Sequence, residues 1–302
     1  MIETVRGTIS KQDLGITMSH EHLILDLRKV RNDEESYILD IDEVLNEIAP
    51  LKKYGVQSFI ELTTNDMGRD VKKLLEISNK TDFHIVCATG FYLVDYHSDW
   101  LKEASVQDIV EIFTKELTVG IDGTDIKAGI IGEIATSYNK VNHSERKVFE
   151  AAAIVSSKLG CPINTHSDMG TMGEVQCDML LIEGVNPDKV ILGHNDLNLD
   201  LNHHLSLLQR GVNLAFDTVS KTSYNSDHDR AKHIKKLIDE GYENHLVLSQ
   251  DVSRRTYFKK FNQAGYEAVM EYFIDMLKEQ KISDEQINKM LVKNPARILD
   301  WK

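Results

Sequence analysis

In the stretch Ile16-Thr-Met-Ser-His-Glu-His-Leu23, a short apolar strand pattern runs directly into two histidines spaced i, i+2. Side chains alternate faces along a strand, so His20 and His22 are predicted to point the same way. Two neutral imidazoles that converge from the end of one strand supply half of a metal site. Alone, such a pair is more often incidental, so the interpretation depends on further ligand-type residues at the ends of other strands.

Seven more short, apolar and β-branched stretches follow, with helical patterns between them. Val190-Ile-Leu192 and Gly129-Ile-Ile131 are continuously apolar, which is typical of parallel strands buried on both faces. The eight predicted strands are Ile16–His22, Val56–Thr63, His84–Gly90, Ala128–Ala135, Pro162–His166, Val190–His194, Val212–Asp217 and Leu246–Asp251. Eight alternations of strand and helix predict an α/β fold, a (β/α)8 TIM barrel that forms a single domain over residues 1–302.

The segments between the strands end in residues that commonly close or open a helix. Gly55 and Gly160 each come just past a helical pattern, where the C′ residue adopts a positive φ. Ser283-Asp-Glu-Gln286 has the spacing of a capping box and opens the last predicted helix. The predicted helices are Ile41–Tyr54, Asp70–Asn79, Val106–Leu117, Ser144–Leu159, Met172–Glu183, Leu201–Arg210, Asp229–Glu240, Gly265–Lys278 and Asp284–Lys293.

Composition narrows the class of protein. A hydrophobic content of 41% in 302 residues supports a large core, and a net charge of −13 argues against a nucleic acid or an anionic membrane as partner. Cys87, Cys161 and Cys177 are odd in number and form no CxxC pair, which favours reduced thiols. Because the sequence has no apolar leader and no stretch as long as a membrane span, it predicts a soluble, cytoplasmic protein.

Five of the predicted strands end in residue types that bind metals, and catalytic groups of a (β/α)8 barrel lie at that end. Considered singly, each of these residues has an ordinary explanation: a histidine at a strand edge, a paired carboxylate, or an aspartate that caps a loop. Together they exceed what one tetrahedral zinc needs, and they predict two metals about 3.5–4 Å apart that share a bridging carboxylate. The predicted ligands are His20, His22, Glu133, His166, His194 and Asp251.

A pair of metals at these ligands predicts hydrolysis. Water that bridges two divalent cations loses a proton near neutral pH and becomes a strong nucleophile. Asp251 is the candidate catalytic residue that orients this water and takes its proton. The scheme suits esters, lactones, amides and phosphoesters alike, and the ligands suit manganese, iron or cobalt as well as zinc.

This ligand set resembles that of the amidohydrolase superfamily, and within it the chain resembles the phosphotriesterase-like family. The resemblance covers essentially the whole chain. Its motifs are Thr17-Met-Ser-His-Glu-His-Leu23, Gly55-Val56, Gly68-Arg-Asp70, Ala88-Thr-Gly-Phe-Tyr92, Gly193-His194 and Asn294-Pro-Ala-Arg297. It implies that His20 and His22 bind a more buried metal with Asp251, that His166 and His194 bind a more exposed one, and that Glu133 bridges both.

The bridging residue departs from the commonest family pattern. Many family members bridge the metals with a carboxylated lysine, whereas this chain has Glu133 within Ile130-Ile-Gly-Glu-Ile-Ala135. A glutamate at this position resembles the phosphotriesterase homology protein subgroup.

The family resemblance also suggests where substrate binds. Tyr92 resembles a position that lines the substrate pocket, with ordinary loop packing as the alternative. The family includes lactonases, some of which act on phosphorylated sugar lactones. A phosphate needs arginine or lysine beside tyrosine, and barrel phosphate sites follow strands seven and eight. The residues of this kind are Lys221, Tyr224, Arg254, Arg255 and Tyr257, although at least one of the two arginines is better explained as a solvated surface charge.

The sequence therefore predicts a binuclear metal hydrolase of small esters or lactones, with phosphorylated sugar lactones as one substrate class. A phosphotriesterase or arylesterase that uses the same site is the first alternative, and a catalytically silent metal-binding barrel is the second. The predicted cofactors are two divalent metal ions, with zinc first and manganese, iron or cobalt as alternatives. The predicted partner is a small-molecule ester or lactone and neither nucleic acid nor membrane, and a homodimer is left open.

Overall fold

Eight parallel strands form the central sheet in a computed structural model that describes all 302 residues. Each strand pairs with the next one along the chain. The strands are β1 (Ile16–Glu21), β2 (Val56–Glu61), β3 (His84–Thr89), β4 (Ile130–Thr136), β5 (Ile163–Ser167), β6 (Val190–Gly193), β7 (Asn213–Phe216) and β8 (Leu246–Leu248). The predicted (β/α)8 barrel is confirmed.

The barrel is brought near to closure by Glu21, a buried carboxylate at the end of β1. It accepts hydrogen bonds from the N–H groups of Gln250 and Val252 at 3.1 and 2.9 Å, and from the hydroxyl of Ser249 at 2.7 Å. These donors follow directly after β8, so one side chain joins the last strand to the first. Closure places the two strand ends that carry His20 and Asp251 side by side.

Helices surround the sheet and follow the strands in alternation. The principal helices are α1 (Ile41–Ile48), α2 (Val71–Thr81), α3 (Val106–Thr118), α4 (His143–Leu159), α5 (Gly173–Leu181), α6 (Leu201–Leu208), α7 (Asp227–Asp239) and α8 (Ile274–Glu279). As predicted, Gly160 ends α4 with φ of 76°, and Ser283 and Gln286 form a capping box at the start of Asp284–Asn288. No helix combines the length and the apolar composition that crossing a bilayer requires.

Several short elements differ from the predicted pattern. Two antiparallel pairs are present that the sequence pattern did not indicate: Ile2–Thr4 with Gly7–Ile9, and Leu25–Asp26 with Tyr37–Ile38. Two short helices, Arg28–Arg31 and Asp99–Glu103, lie in loops. The last predicted helix ends at Lys293, but a further helix, Asn294–Leu299, follows it directly. Pro295 occupies the first turn of this helix, a position that proline tolerates.

The core consists of three clusters, of 67, 9 and 4 buried residues, that together leave only one end of the barrel open. A cluster of 67 buried residues lies between the sheet and the helices. A second cluster of 9 residues, among them Ile60, Val86 and Ile130, fills the barrel interior below the strand ends and includes Ile2 and Leu299 from the chain termini. Because the termini plug the lower end, the C-terminal ends of the strands form the accessible face.

Two buried histidines on neighbouring helices, His204 in α6 and His233 in α7, give a prediction for stability. His204 donates its Nε2–H to the carbonyl of Asn195 at 3.0 Å, and because both rings are neutral at pH 7, its Nδ1 accepts from Nε2 of His233 at 2.8 Å. Burial, reinforced by the charge of His233, lowers the pKa of His204 to about 3, and burial lowers that of His233 to about 4.

Because both pKa values lie below the unfolded value of about 6.5, the unfolded chain binds more protons as pH falls below that point. We therefore expect the free energy of unfolding to fall by about 2 kcal/mol for each histidine between pH 7 and pH 5. Denaturant titrations of the native protein and of a His204→Gln/His233→Gln variant at both pH values measure this loss. An equally steep pH dependence in the variant would contradict the assignment.

Candidate metal centre

Glu133, which lies within β4, is at the centre of the predicted ligand set. Its Oε2 atom is 3.5 Å from Nε2 of His20 and 3.4 Å from Nε2 of His194. The same oxygen is 3.0 Å from Nδ1 of His166, and Oε1 is 3.5 Å from Nε2 of His22. One carboxylate therefore contacts imidazoles that come from three other strand ends.

Asp251 joins the cluster from the segment after β8. Its Oδ1 atom is 3.2 Å from Nε2 of His22 and 3.9 Å from Nε2 of His20. Its Oδ2 atom forms an ion pair with Nζ of Lys221. The structure thus brings all six predicted side chains together at the accessible end of the barrel, and their roles as ligands stay predictions.

The local backbone explains why two of these residues lie just beyond their strands. His194 and Asp251 have φ of 59° and 49°, a left-handed conformation that non-glycine residues rarely adopt. The N–H of Asp251 donates to the carbonyl of His20 at 3.2 Å, which holds the turn in place. Ahead of His194, a Cβ at Gly193 would lie 2.2 Å from the carbonyl oxygen of Thr165, so only glycine lets these backbones approach.

Two observations show that the donor set fits metal ions. The Nε2 atoms of His20 and His22 are buried and have no hydrogen-bond partner, which costs about 1–3 kcal/mol for each such group unless a ligand satisfies it. Ligand atoms of His20, His22 and Glu133 lie within 4.8 Å of one another, as do those of Glu133, His166 and His194. Glu133 belongs to both of these groups, and His20, His194 and Asp217 form a third group of the same kind.

Asp217, which directly follows β7, orients two of the histidines and is absent from the predicted ligand set. Its Oδ2 atom is 2.7 Å from Nδ1 of His20, and its Oδ1 atom is 3.0 Å from Nδ1 of His194. Oδ1 also accepts the N–H of His194 at 2.9 Å. A carboxylate on Nδ1 fixes the tautomer and leaves Nε2 free to bind a metal. The signal was available, since Asp217 ends a predicted strand as the other candidates do.

His22 is oriented by a different pair of residues. Its Nδ1 atom is 2.9 Å from the hydroxyl oxygen of Thr63, and this hydroxyl donates to Oε1 of Glu61 at 2.5 Å. Because the hydroxyl proton is used on Glu61, its oxygen accepts from Nδ1–H of His22. As for His20, this leaves Nε2 as the free nitrogen, directed toward Glu133.

The charges of the cluster are those of a cation site. Burial alone would lower the pKa of His194, but Asp217 and Glu133 outweigh it and raise that pKa to about 10, and the same two carboxylates raise the pKa of His20. Burial opposes ionisation of Glu133, Asp217 and Asp251, yet neighbouring cations hold the pKa of each below its usual value. Three ionised carboxylates in one buried cluster require compensating positive charge, which bound metal would supply as protons leave the imidazoles.

A cavity of about 200 Å³ opens above the cluster and contains most of the predicted substrate-binding residues. Tyr92 lies beside the cluster, with its hydroxyl 3.3 Å from Nδ1 of His166. The backbone N–H of Tyr92 donates to both oxygens of Asp66, at 3.0 and 3.1 Å, which fixes the start of this loop. The predicted residues that line the cavity are Tyr92, Lys221, Tyr224, Arg254 and Tyr257.

Arg255 is the predicted substrate contact that the structure does not bring into the cavity. Its guanidinium makes a two-point ion pair with Glu43 of α1, at 2.9 and 2.8 Å, and so faces the outside of the barrel. Arg254, one residue earlier, lines the cavity and pairs with Asp33 at 2.8 Å. The alternative explanation of a surface arginine therefore applies to Arg255.

Two charged residues in the cavity wall are missing from the predicted set. Arg31 comes from the loop after β1, and Asp168 comes from the loop after β5. Both lie in βα loops, which form the active-site face of this fold, and that position is the signal that could have identified them.

Comparison with known proteins agrees with the fold and identifies the family. The model of the phosphotriesterase family matches residues 1–299. The phosphotriesterase homology protein of Escherichia coli (strain K12) is 35% identical over 94% of this chain and 97% of its own length. A crystal structure of the E. coli phosphotriesterase homology protein, complexed with phosphate in its active site, matches with a TM-score of 0.93 at 34% identity and covers 95% of this chain and 99% of that one.

Two further relatives are named by their reactions. The phospho-furanose lactonase of Mycoplasmopsis synoviae (strain 53) is 31% identical over 98% of this chain and 90% of its own length. The N-acetyltaurine hydrolase of Xenopus tropicalis is 29% identical over 100% of this chain and 98% of its own length. Family model, relatives and fold coincide along the whole barrel, and the chain belongs to the phosphotriesterase family of hydrolases.

Proposed function

We propose that this protein is a binuclear metal hydrolase that opens phosphorylated sugar lactones. The observation that carries the proposal is one cavity with a metal-type cluster at its floor and phosphate-type donors in its wall. The floor suits hydrolysis of a carbonyl ester, and the wall suits an anionic group on the same small molecule. The phospho-furanose lactonase and the phosphate-bound relative support this combination.

The ligands divide into two sets around Glu133. His20, His22 and Asp251 would hold the more buried metal, His166 and His194 the more exposed one, and Glu133 both. Zinc is the first expectation, with manganese, iron or cobalt as alternatives for the same donors. When bound, two divalent cations lower the pKa of a shared water and polarise a carbonyl oxygen.

Asp251 is the residue that would move the proton. Although burial opposes it, Lys221 and the nearby imidazoles hold the pKa of Asp251 below its usual range, so the carboxylate is ionised and able to accept. It would take a proton from the attacking water as the water oxygen bonds to the carbonyl carbon. The C–O bond of the ring ester then breaks, and the proton passes to the alkoxide oxygen that leaves. The products are one hydroxyl and one carboxylate on a single opened chain.

The remaining cavity residues would position the substrate. The hydroxyl of Tyr92 lies beside His166, where a lactone carbonyl would approach the cluster. Lys221, Arg254 and Tyr257 stand together, with Lys221 Nζ 5.5 Å and the Arg254 guanidinium carbon 5.9 Å from the centre of the Tyr257 ring. These loops follow β7 and β8, where barrel phosphate sites commonly form. Tyr224 is 49% exposed and so lies at the rim.

A panel of substrates tests the proposal. Sugar lactones with and without a phosphate, an aryl ester, an aryl phosphotriester and an N-acylated amine are compared by kcat/KM, with a pH indicator or product chromatography. We expect the phosphorylated lactone to exceed its unphosphorylated counterpart by about 10²-fold or more, because several charge-assisted hydrogen bonds are added. A higher kcat/KM on the phosphotriester or the aryl ester would replace the proposal by the phosphotriesterase or arylesterase alternative.

The panel includes an N-acylated amine, which contains an amide bond, because one relative is named an N-acetyltaurine hydrolase. Amide hydrolysis would use the same cluster, so only the rates distinguish the two reactions. The catalytically silent barrel is disfavoured by the sequence itself, since all six predicted ligands are present. If the metal-loaded protein hydrolyses none of the compounds in the panel, the catalytically silent barrel becomes the preferred alternative.

A further inference from the structure

We propose that Arg31 is the specificity-determining residue of the cavity and binds the anionic group of the substrate together with Lys221 and Arg254. This inference rests on the proposed function, because it concerns the phosphate of the same substrate. It adds a third loop of the barrel to the binding site, the one that follows β1.

The fold presents Arg31 to the cavity from a well-defined loop. The antiparallel pair Leu25–Asp26 and Tyr37–Ile38 closes the base of this loop, and the helix Arg28–Arg31 stands within it. Asn32 ends the helix with φ of 49°, and its N–H donates to the carbonyl of Arg28. Arg31 is therefore half-buried on a structured segment and lines the cavity, rather than lying on a free surface.

The ion pairs of the cavity single out Arg31. Lys221 pairs with Asp251, and Arg254 pairs with Asp33 at 2.8 Å. Arg31 makes no ion pair with any carboxylate, although its charge acts on Asp251 and on nearby tyrosines, Tyr257 among them. A half-buried cation that faces a cavity without a carboxylate partner is poised to bind an anion supplied by a ligand.

The order of the strands places the three cations on one side of the rim. Lys221 follows β7, Arg254 follows β8, and Arg31 follows β1, and these strands are consecutive around the nearly closed barrel. A phosphate held by this arc would meet donors from three adjacent loops. The guanidinium of Arg31 can offer two parallel N–H groups to it, which a lysine at this position could not do.

Arg28, three residues earlier, is the matched control within the same helix. It makes a two-point ion pair with Asp26, at 2.9 and 2.7 Å, and it does not line the cavity. Replacement of Arg28 by methionine removes one positive charge from the same loop but none from the site. The comparison of the two variants separates a local role of Arg31 from a general effect of charge or loop stability.

The test measures kcat/KM of the metal-loaded enzyme on a phosphorylated lactone and on its unphosphorylated counterpart. For Arg31→Met we expect a loss of about 10²-fold on the phosphorylated lactone and of less than about 3-fold on the other. For Arg31→Lys we expect an intermediate loss of about 10-fold, because the charge remains and the paired donors do not. For Arg28→Met we expect changes of less than about 2-fold on both substrates. Equal losses on the two lactones, or a loss in Arg28→Met as large as in Arg31→Met, would overturn the inference and leave the proposed function intact.

Binding of inorganic phosphate provides a readout that does not need turnover of a lactone. Titration calorimetry on the metal-loaded protein is expected to show about 10-fold weaker phosphate binding in Arg31→Met than in Arg28→Met. If the native protein opens no lactone, the proposed function fails, and the phosphate titration still decides whether Arg31 binds an anion. Equal phosphate affinity in the two variants would overturn the inference.

Discussion

Replacement of Glu133 by glutamine is expected to lower kcat/KM by about 10³-fold or more and to release metal from the protein. Glu133 is the carboxylate that contacts His20, His166 and His194 through one oxygen and His22 through the other. Glutamine keeps the shape of the side chain but has one oxygen instead of two and carries no charge, so it cannot bridge two cations. We expect the metal content, measured by plasma mass spectrometry, to fall below that of the native protein.

The control for this substitution is Glu47→Gln. Glu47 is also a buried carboxylate, but it accepts the backbone N–H groups of Lys259 and Lys260, at 2.8 and 3.2 Å, away from the cavity. We expect this variant to lose some stability and to keep its metal and its activity. A Glu133→Gln protein with native metal content and native kcat/KM would show that Glu133 is not the bridging residue.

Replacement of Asp217 by asparagine is expected to weaken metal binding by about 10–100-fold. Asp217 holds Nδ1 of both His20 and His194, and an amide can satisfy at most one of these N–H groups as an acceptor. One of the two imidazoles then loses its preferred tautomer, and its Nε2 atom is no longer fixed as a ligand. Chelator competition measures the affinity, and activity measured against metal concentration shows whether excess metal restores turnover.

Recovery of activity at high metal concentration is the result that a merely structural role would not produce. The matched control is Asp227→Asn, because Asp227 is a buried carboxylate that accepts the N–H of Ser220 and pairs with Arg230, outside the cluster. We expect Asp227→Asn to shift the unfolding temperature and to leave metal affinity within about 2-fold of native. Unchanged metal affinity in Asp217→Asn would contradict the positioning role.

The fold follows closely from the sequence because strands and helices carry different periodicities that alternate eight times. Buried parallel strands are apolar on both faces, so even four residues such as Val190–Gly193 stand out. The antiparallel pair Ile2–Thr4 and Gly7–Ile9 does not stand out in the sequence, since each strand has three residues and the second is largely exposed. Its pairing depends on the rest of the fold, which no local pattern reports.

Site residues could be predicted where the end of a strand determines their position. They could not be predicted where contacts between distant parts of the chain determine it. The six ligand-type residues lie at or near the ends of five strands, so the barrel alone predicts that they converge. Arg254 and Arg255 are chain neighbours of the same type, and only the contact of Arg255 with Glu43 on α1 decides which one enters the cavity. Arg31 was hidden for the same reason, because a basic loop residue without a motif resembles any solvated charge.

The number of metal ions needed for turnover tests the central claim of a shared, two-metal centre most directly. Protein stripped of metal with a chelator is titrated with Zn²⁺, and separately with Mn²⁺, while hydrolysis of the best substrate of the panel and bound metal are measured. The two ligand sets around Glu133 predict no activity without metal and a rise that ends at two bound ions per chain. Full activity of the stripped protein, or full activity with one bound ion and no second one, would contradict the account.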